Sequence, residues 1–194
     1  MNKESYNKIA EQWIESRNQS KVSRLIYKFI ELVKQNGIVL DVGCGSGIPI
    51  AKFLQEKGFT ITGIDISEKM IKLAKQQGRN IAFSVHDIND YTSEILFDGI
   101  VAWDSLFHLR PELQTKAYDK IYSLLSPGGY FLFTNYNMDG EIVGEMYGES
   151  FYYGGIEASP LKKILKEIGF QIILFEEDYK EGDMDRGIVA ILKK

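Results

Sequence analysis

A short apolar run that leads directly into a glycine-rich loop constrains the fold of this chain more than any other feature. The run covers residues 39–42, and Gly43, Gly45 and Gly47 follow it at every second position. An apolar run of this length beside glycine is typical of a buried parallel strand. Helical spacing begins at once over residues 48–57. The glycines are therefore predicted to form a strand-to-helix turn, where a ligand can approach a backbone without side chains.

The loop differs from the pyrophosphate-binding version, and this difference limits which ligands it can bind. The dinucleotide fingerprint G-x-G-x-x-G requires glycine at position 48, where this chain has Ile48. A second apolar run, residues 59–64, ends in Asp65, twenty-two positions after Gly43. An acidic side chain at about this spacing accepts hydrogen bonds from ribose hydroxyls. We therefore expect a ligand that contains adenosine. The alternatives are a tight turn without a ligand and an Asp65 that caps the next helix.

Strands and helices alternate along the chain after two amphipathic helices at residues 6–14 and 22–33. Further helices are predicted at residues 48–57, 67–78, 113–125 and 160–168, and strands at residues 39–42, 59–65, 81–85, 97–103, 130–134, 170–175 and 188–192. Residues 126–129 have the composition of a turn. The alternation predicts an α/β fold with a doubly wound, mostly parallel sheet. The last two strands, joined by a charged loop, are expected to form a hairpin with one antiparallel edge.

Composition excludes several classes of protein. The net charge of −4 gives no electrostatic footprint for nucleic acid. No apolar run approaches the roughly 18 residues of a membrane-spanning helix, and the first residues do not form a signal peptide. A single cysteine excludes an internal disulfide, so a cytoplasmic protein is expected. Two distant histidines and this cysteine lack the spacing of metal ligands, so no metal site is expected.

Five segments together resemble a known motif series. VLDVGCGSG, TGIDIS, HDIND, FDGIVAWDSLFHL and LSPGGYFLFT resemble, in order and spacing, the motifs of class I S-adenosylmethionine-dependent methyltransferases, and the similarity covers residues 6–193. The resemblance implies a Rossmann-like sheet of seven strands with the last antiparallel. It also implies S-adenosyl-L-methionine as cofactor. The Asn/Asp-Pro-Pro-Tyr signature of amino-methylating relatives is absent, which argues against DNA-base or glutamine-amide methylation.

The whole chain, residues 1–194, is interpreted as one methyltransferase domain with four parts. Residues 1–36 would form a helical lid, residues 37–134 the cofactor-binding core, and residues 160–194 a helix and a hairpin. Residues 135–159 lack a clear period and contain five glycines and several aromatic residues. Connections this long inside compact domains often form lids or binding loops. We interpret this last segment as a substrate cap.

The resemblance and the residue pattern together assign the cofactor contacts around the glycine loop. Gly43, Cys44 and Gly45 would approach the amino-acid and ribose ends of the cofactor, and Asp65 would bind the ribose. Ile66 would lie against an adenine face. A helix N-terminus can lower a thiol pKa, which leaves nucleophilic or redox work as an alternative for Cys44. Its small size is the simpler reason for its place in the loop.

Further cofactor contacts are implied on either side of the loop. In similar enzymes an acidic residue at the place of Asp87 meets the adenine amino group, and a backbone amide such as that of Ile88 meets a ring nitrogen. A solvated loop is the alternative. Similar enzymes also close an aromatic residue and an arginine of the first helix over the cofactor. Tyr6, Trp13 and Arg17 match these positions, although Tyr6 and Trp13 are also at core-packing spacing.

Candidate catalytic residues follow the fourth predicted strand. Trp103 would face the methyl group that is transferred. Asp104 would hold the cofactor's ammonium or a substrate group, or would cap the next turn. His108 lies in a pattern that resembles the family's apolar-His-Leu, and a histidine with a pKa near 6.5 can accept a proton from a nucleophile. A structural histidine with satisfied hydrogen bonds is the alternative.

These observations predict methyl transfer to an O, N or C atom of a small molecule, achieved mainly by alignment of the reactants. Three alternatives stay open: a nicotinamide-dependent oxidoreductase, a methyltransferase that acts on protein or RNA, and an inactive cofactor-binding module. The missing third glycine argues against the first, and the acidic balance argues against the second. A homodimer is compatible with the sequence.

Overall fold

A computed structural model describes residues 2–17, 20–77, 80–182 and 184–194 of the chain. The helices are α1 (Lys3–Arg17), α2 (Arg24–Leu32), α3 (Ile50–Glu56), α4 (Glu68–Gln76), α5 (Pro111–Leu124) and α6 (Ala158–Ile168), with a 3-10 turn at Leu106–His108. The strands are β1 (Ile38–Val42), β2 (Thr60–Asp65), β3 (Ala82–Val85), β4 (Phe97–Ala102), β5 (Leu125–Asn135), β6 (Gly140–Met146), β7 (Glu149–Gly155), β8 (Gln171–Glu181) and β9 (Met184–Lys193).

Seven strands form one twisted sheet in the order β3-β2-β1-β4-β5-β9-β8. The pairs from β3 through β5 are parallel, and β9 is antiparallel to both of its neighbours. The predicted seven-stranded sheet with an antiparallel last strand is therefore confirmed. The last two strands form the expected antiparallel hairpin at one edge of the sheet, with β9 beside β5 and β8 outermost.

Helices cover both faces of the sheet, as doubly wound α/β folds require. On one face, β1, β4 and β5 bury their side chains against α5 and α6. On the other face, the same strands pack against α2, α3 and α4. The strands are consequently apolar on both sides, which explains why they read as continuous apolar runs in the sequence.

Polar caps fix the beginnings of two helices, of which only the Ser67 cap was predicted. The Ser67 hydroxyl accepts a hydrogen bond from the Met70 amide at 3.1 Å, so α4 begins where a capping residue was expected. The Ser23 hydroxyl accepts from the Leu25 amide at 3.2 Å and caps α2. At the C-terminal end of α6, Gly169 takes a left-handed conformation, which ends the helix. The predicted end of α4 at Gly78 lies outside the described residues.

Two predicted connections are regular strand instead. Residues 126–129, expected to be a turn, form a bulged start to β5: Leu125 lies opposite Phe97 and Tyr130 opposite Gly99. The charged loop expected after residue 175 belongs largely to strands, because β8 extends to Glu181 and β9 begins at Met184. Strand pairing with a neighbour offsets the poor intrinsic β-propensity of these charged residues.

The segment 135–159 was expected to be irregular, and this expectation was wrong. Residues 140–155 form a two-stranded antiparallel hairpin, β6–β7. Its two-residue turn, Tyr147-Gly148, has positive φ at both positions, the geometry that matches the twist of paired strands. Tyrosine is an unusual first residue in such a turn, so the sequence lacked the Asn-Gly signal that would have predicted a hairpin.

The first helix lies outside the sheet layers and packs against α4 and β7. Ser5 donates a hydrogen bond to the Ser150 carbonyl, and Lys8 pairs with Glu149 at 2.9 Å. No helix among the described residues is long and apolar enough to span a bilayer.

Candidate functional site

A cavity opens at the carboxyl ends of β1, β2 and β4, where open α/β sheets bind ligands. Every site residue predicted from the sequence lines this cavity: Tyr6, Trp13, Arg17, Gly43, Cys44, Gly45, Asp65, Ile66, Asp87, Ile88, Trp103, Asp104 and His108. They come from α1 and from the ends of four different strands, so only the folded sheet brings them together.

The glycine loop forms the floor of the cavity. The amides of Gly43 and Cys44 both donate to the Ile64 carbonyl, at 2.8 and 3.0 Å. Gly43 has φ +72°, and a Cβ there would collide with the Ser105 side chain. Gly45 has φ +54°, and a Cβ there would approach only Trp13, at 3.9 Å. The first glycine is therefore required by packing, whereas the second leaves its backbone accessible to a ligand.

Asp65 holds the loop as well as facing the cavity. One carboxylate oxygen accepts the Gly45 amide and the other accepts the Ser67 amide, each at 2.9 Å. Burial raises the pKa of this carboxyl, and these amides act against that rise. Each oxygen keeps a lone pair for a ligand hydroxyl. The contact to Ser67 shows that the alternative interpretation, a cap on the next helix, also describes this residue.

Cys44 is suited to packing and not to reaction. The side chain is buried, and burial raises the pKa of its thiol well above the ordinary value. A thiol held in its neutral form is a poor nucleophile. The small-residue interpretation of Cys44 is the one that the surroundings favour.

Two cavity residues in the β1 segment were not singled out by the sequence. Asp41 is only 3% exposed, and burial, followed by the nearby Asp65 charge, raises the pKa of its carboxyl to about 7. The Ser46 hydroxyl is buried, lines the cavity and has no hydrogen-bond partner among the described residues. A buried polar atom without a partner is costly unless a ligand or water satisfies it. The sequence feature that could have pointed to Asp41 is a charged residue inside an otherwise apolar strand.

The end of the cavity beyond Asp65 is bounded by the loop after β3. Ile88 is buried there. One oxygen of Asp87 accepts the Asn89 amide at 2.9 Å and the Asn89 side chain at 3.3 Å. The other oxygen of Asp87 has no such contact in the described part of the chain. Asp87 thus lies in an ordered loop and keeps one oxygen available as a hydrogen-bond acceptor, which is compatible with the expected contact to an adenine amino group.

A buried polar network joins α1 to the 3-10 turn and to β7. The Tyr6 hydroxyl lies 2.7 Å from His108 Nε2, and the Asn2 side-chain nitrogen lies 2.7 Å from His108 Nδ1. The same Asn2 amide bridges the backbone of Tyr152, accepting from its N–H at 2.9 Å and donating to its carbonyl at 2.8 Å. His108 Nδ1 is also 3.0 Å from that carbonyl. Asn2 was not predicted, because its partners lie more than a hundred positions away.

Both ring nitrogens of His108 are occupied by protein groups in either tautomer. If Nδ1 accepts from Asn2, Nε2 carries the proton and donates to Tyr6; if Nδ1 donates to the Tyr152 carbonyl, Nε2 accepts the Tyr6 hydroxyl. Burial lowers the pKa of His108 to about 4. The imidazole is therefore neutral at pH 7 and presents a tyrosine hydroxyl, not a free nitrogen, to the cavity.

An ion cluster forms the opposite wall. Arg186 Nε and Nη2 donate to the two Asp104 oxygens at 2.8 and 3.1 Å, a bidentate pair. Arg17 Nη2 approaches the same carboxylate at 3.5 Å. Asp104 takes a left-handed φ of +52°, and its amide donates to the Thr134 hydroxyl at 2.8 Å. Neither interpretation offered for Asp104 included this pairing, because Arg186 lies on the last strand, remote in sequence.

Each guanidinium of the cluster also lies over an indole ring. Arg17 is 4.3 Å from the Trp13 ring centroid, and Arg186 is 5.0 Å from that of Trp103. Tyr6 packs edge-to-face on Trp13 at 5.9 Å. These contacts hold the charged groups at fixed positions in the wall.

Comparison with known proteins agrees with this fold and site. A family model described as "Methyltransferase domain" matches residues 13–174. A ubiquinone biosynthesis O-methyltransferase from Coxiella burnetii is 32% identical over 143 residues, 68% of this chain and 60% of that protein. A 2-heptyl-1-hydroxyquinolin-4(1H)-one methyltransferase from Mycobacteroides abscessus is 35% identical over 113 residues, 55% of this chain and 49% of that protein. The chain spans about half to three fifths of the length of these curated relatives.

Solved structures share the architecture at low sequence identity. An S-adenosylmethionine-dependent methyltransferase from Methanosarcina mazei matches with a TM-score of 0.74 and 20% identity, over 90% of this chain and 99% of that one. A Burkholderia thailandensis 1,6-didemethyltoxoflavin-N1-methyltransferase, solved with S-adenosylhomocysteine, matches with a TM-score of 0.74 and 18% identity, over 99% of this chain and 86% of that one.

Sheet order, glycine loop and cavity together define a Rossmann-like methyltransferase fold. The chain belongs to the class I S-adenosylmethionine-dependent methyltransferase family, as the family-model match over most of its length shows. S-adenosyl-L-methionine is the cofactor of this family. The cavity suits that group, because it offers the uncrowded surface over Gly45, the Ser46 hydroxyl without a partner among the described residues, and the open lone pairs of Asp65.

The His108 environment predicts how its ring titrates. The folded pKa of about 4 lies below the ordinary 6.5, so His108 stabilises the fold fully above pH 6.5. As the pH falls from 6.5 towards 4, the free energy of unfolding decreases by about 3 kcal/mol at most. In an NMR titration, the His108 ring should stay neutral until about pH 4. A midpoint near the ordinary value would contradict the buried network.

The ion cluster predicts a stability effect at Asp104. Asp104→Asn keeps a side chain that tolerates the left-handed backbone but leaves two guanidiniums without their carboxylate. Removing one partner of a buried ion pair costs about 3–5 kcal/mol in the free energy of unfolding, measured by urea titration. Glu177→Gln, which breaks the exposed Lys162–Glu177 pair, is the control and should cost less than about 1 kcal/mol. Equal effects of the two variants would argue against a buried cluster.

Proposed function

We propose that this protein transfers the methyl group of S-adenosylmethionine to an O, N or C nucleophile of a small molecule. The observation that carries the proposal is the convergence of all the predicted site residues on one cavity at the carboxyl ends of β1, β2 and β4. Two curated relatives, the ubiquinone biosynthesis O-methyltransferase and the 2-heptyl-1-hydroxyquinolin-4(1H)-one methyltransferase, support a small-molecule acceptor. A net charge of −4 gives no support to nucleic acid as the methyl acceptor.

The proposed cofactor position follows the cavity wall from β3 to β4. Asp87 and Ile88 would receive the adenine, with Ile66 against its face, and Asp65 would bind the ribose hydroxyls. The amino-acid tail would pass Gly45. This order places the polar acceptors of the wall opposite the donors of an adenosine, and it leaves the Trp103 end of the cavity for the methyl acceptor.

The tail of the cofactor would lie against the glycine loop and α1. The Gly43 and Cys44 amides are already used by the Ile64 carbonyl and the Gly45 amide by Asp65, so the loop offers the Ser46 hydroxyl and the uncrowded surface over Gly45 instead. Trp13 lies over Gly45, and Arg17 Nη2 lies 3.5 Å from Asp104, while its Nε and Nη1 atoms have no hydrogen-bond partner among the described residues. We assign Arg17 to the carboxylate of the tail.

Alignment of the reactants is the main contribution of this chain. When bound, S-adenosylmethionine supplies an activated methyl group on a sulfonium that departs as a neutral thioether. The residues of the cavity would hold the nucleophile in line with the methyl carbon and keep water out. Trp103, only 9% exposed, forms an apolar wall beside the proposed reaction point.

His108 is proposed as a positioning residue. Its neutral ring bonds the Tyr6 hydroxyl at 2.7 Å and is itself held by Asn2 and the Tyr152 backbone. A proton from the acceptor could reach the imidazole only through Tyr6. These contacts therefore favour a role for His108 in fixing α1 over the cavity, and not the role of direct proton acceptor that was considered from the sequence.

The segment 135–159, interpreted as a substrate cap, supports the lid in this proposal. Phe151 of β7 packs against Tyr6 with ring centroids 4.9 Å apart, and Tyr153 lies 5.0 Å from His108. The hairpin would act on the acceptor through α1, because in the described part of the chain its own side chains do not line the cavity.

Calorimetry with three ligands tests the proposal. S-adenosylmethionine and S-adenosylhomocysteine should bind with a one-to-one stoichiometry, and NAD should not, because Ile48 replaces the glycine of the pyrophosphate loop. Turnover of cofactor in a screen of small phenols, amines and carboxylic acids would then establish activity. Tight binding of NAD would refute the cofactor assignment, and tight S-adenosylhomocysteine binding without any turnover would favour an inactive module.

Asp65→Ala tests the ribose contact. Loss of hydrogen bonds to a charged group should weaken S-adenosylhomocysteine binding by about tenfold or more. The matched control is Asp98→Ala, since Asp98 also accepts a backbone amide, that of Ile38 at 2.9 Å, but at the opposite end of the sheet. An unchanged dissociation constant in Asp65→Ala would contradict the ribose assignment.

A further inference from the structure

The ion cluster of the cavity wall carries more positive than negative charge. The side chains of Arg17, Arg186 and Asp104 are only 19, 9 and 12% exposed, and they contribute two guanidiniums and one carboxylate. A charge removed from water is costly unless it is paired. The cluster therefore has an unmet requirement for one negative group.

The neighbouring charges do not supply that group. Glu181 also lines this part of the cavity and lies near enough to Arg186 to interact with its charge, but no ion pair joins the two side chains among the described residues, and Lys21 is exposed to solvent. Glu181 is committed to the start of α2, where it accepts the Arg24 amide at 3.0 Å. The remaining carboxylates of the wall belong to the proposed adenosine end: Asp41, Asp65 and Asp87.

The cofactor does not supply it either. Its amino-acid tail carries an ammonium as well as a carboxylate, so the tail adds no net charge, and its sulfonium adds a positive one. If Arg17 pairs with the tail carboxylate, the sum at this end of the cavity stays positive. A negatively charged group on the second substrate would balance this excess charge.

Arg186 has the geometry to bind such a charge. Its Nε and Nη2 atoms are used by Asp104, and its Nη1 atom has no hydrogen-bond partner among the described residues. Stacking over Trp103 fixes the plane of the guanidinium, so the unused donors keep one direction. A planar, fixed fork of donors is the group that proteins use for carboxylates and phosphates.

We propose that the methyl acceptor carries an oxyanion, a carboxylate, phosphate or ionised hydroxyl, and that Arg186 is the residue that selects it. This inference rests on the proposed function. Asp104 orients Arg186 and lowers the excess charge to one, so that a singly charged group suffices. A neutral acceptor would leave the excess charge of the wall unpaired and would bind more weakly.

Benzoate and benzamide test this inference, because they have nearly the same shape and differ in charge. Calorimetry would measure their binding to the protein saturated with S-adenosylhomocysteine, at constant ionic strength. Benzoate should bind at least about tenfold more tightly than benzamide, as expected for a hydrogen bond to a charged group. Equal binding of the two, or no binding of either, would overturn the inference.

Variants locate the preference. Arg186→Gln should remove most of it, and Arg186→Lys, which keeps the charge and loses the planar fork, should keep part of it. Arg24→Gln is the matched control, because Arg24 also pairs with a carboxylate and lies over a tyrosine ring, but outside the cavity. It should behave as the unaltered protein. An undiminished preference in Arg186→Gln would overturn the assignment to Arg186.

The same titrations separate this inference from the proposed function. Failure of the unaltered protein to bind S-adenosylhomocysteine would refute both. Normal binding of S-adenosylhomocysteine without a preference for benzoate would refute only the oxyanion inference and leave methyl transfer to a neutral acceptor.

Discussion

The contact between the Asp65 carboxylate and the Gly45 amide is the interaction on which the site depends. Parallel pairing sets Val42 opposite Ile64, so the loop after β1 and the carboxylate at the end of β2 meet at one edge of the sheet. The 2.9 Å hydrogen bond then fixes the loop while an oxygen of Asp65 still faces the cavity. One side chain thus shapes the floor of the cavity and offers its central acceptor.

The position of α1 depends on a second set of contacts, which begin at Asn2. Asn2 bridges the Tyr152 backbone, and His108 joins Asn2 to Tyr6, so α1 is fastened both to β7 and to the turn after β4. Burial lowers the pKa of His108 and keeps the imidazole neutral, so this network adds no charge to the cavity. Positive charge is concentrated instead at Arg17 and Arg186.

The sheet, and the meeting of the glycine loop with Asp65 at its edge, could be predicted because their signals are local. A strand, a glycine turn and a strand-end aspartate are each recognised from a few consecutive residues. Parallel topology then brings the carboxyl ends of the strands to one edge of the sheet. The β6–β7 hairpin could not be predicted, since its turn is Tyr147-Gly148 and its strands contain glycines that interrupt the alternation. Asn2 and Arg186 could not be predicted, because their partners lie across the fold and neither belongs to a motif.

A structure of the protein with S-adenosylhomocysteine tests the central claim most directly. The account predicts adenosine along the carboxyl edge of the sheet, with the ribose hydroxyls within hydrogen-bond distance of Asp65 and the tail beside Gly45. It also predicts a space beyond the sulfur that Arg186 and Trp103 border. A product cofactor bound elsewhere, or one whose ribose makes no contact with Asp65, would contradict the account.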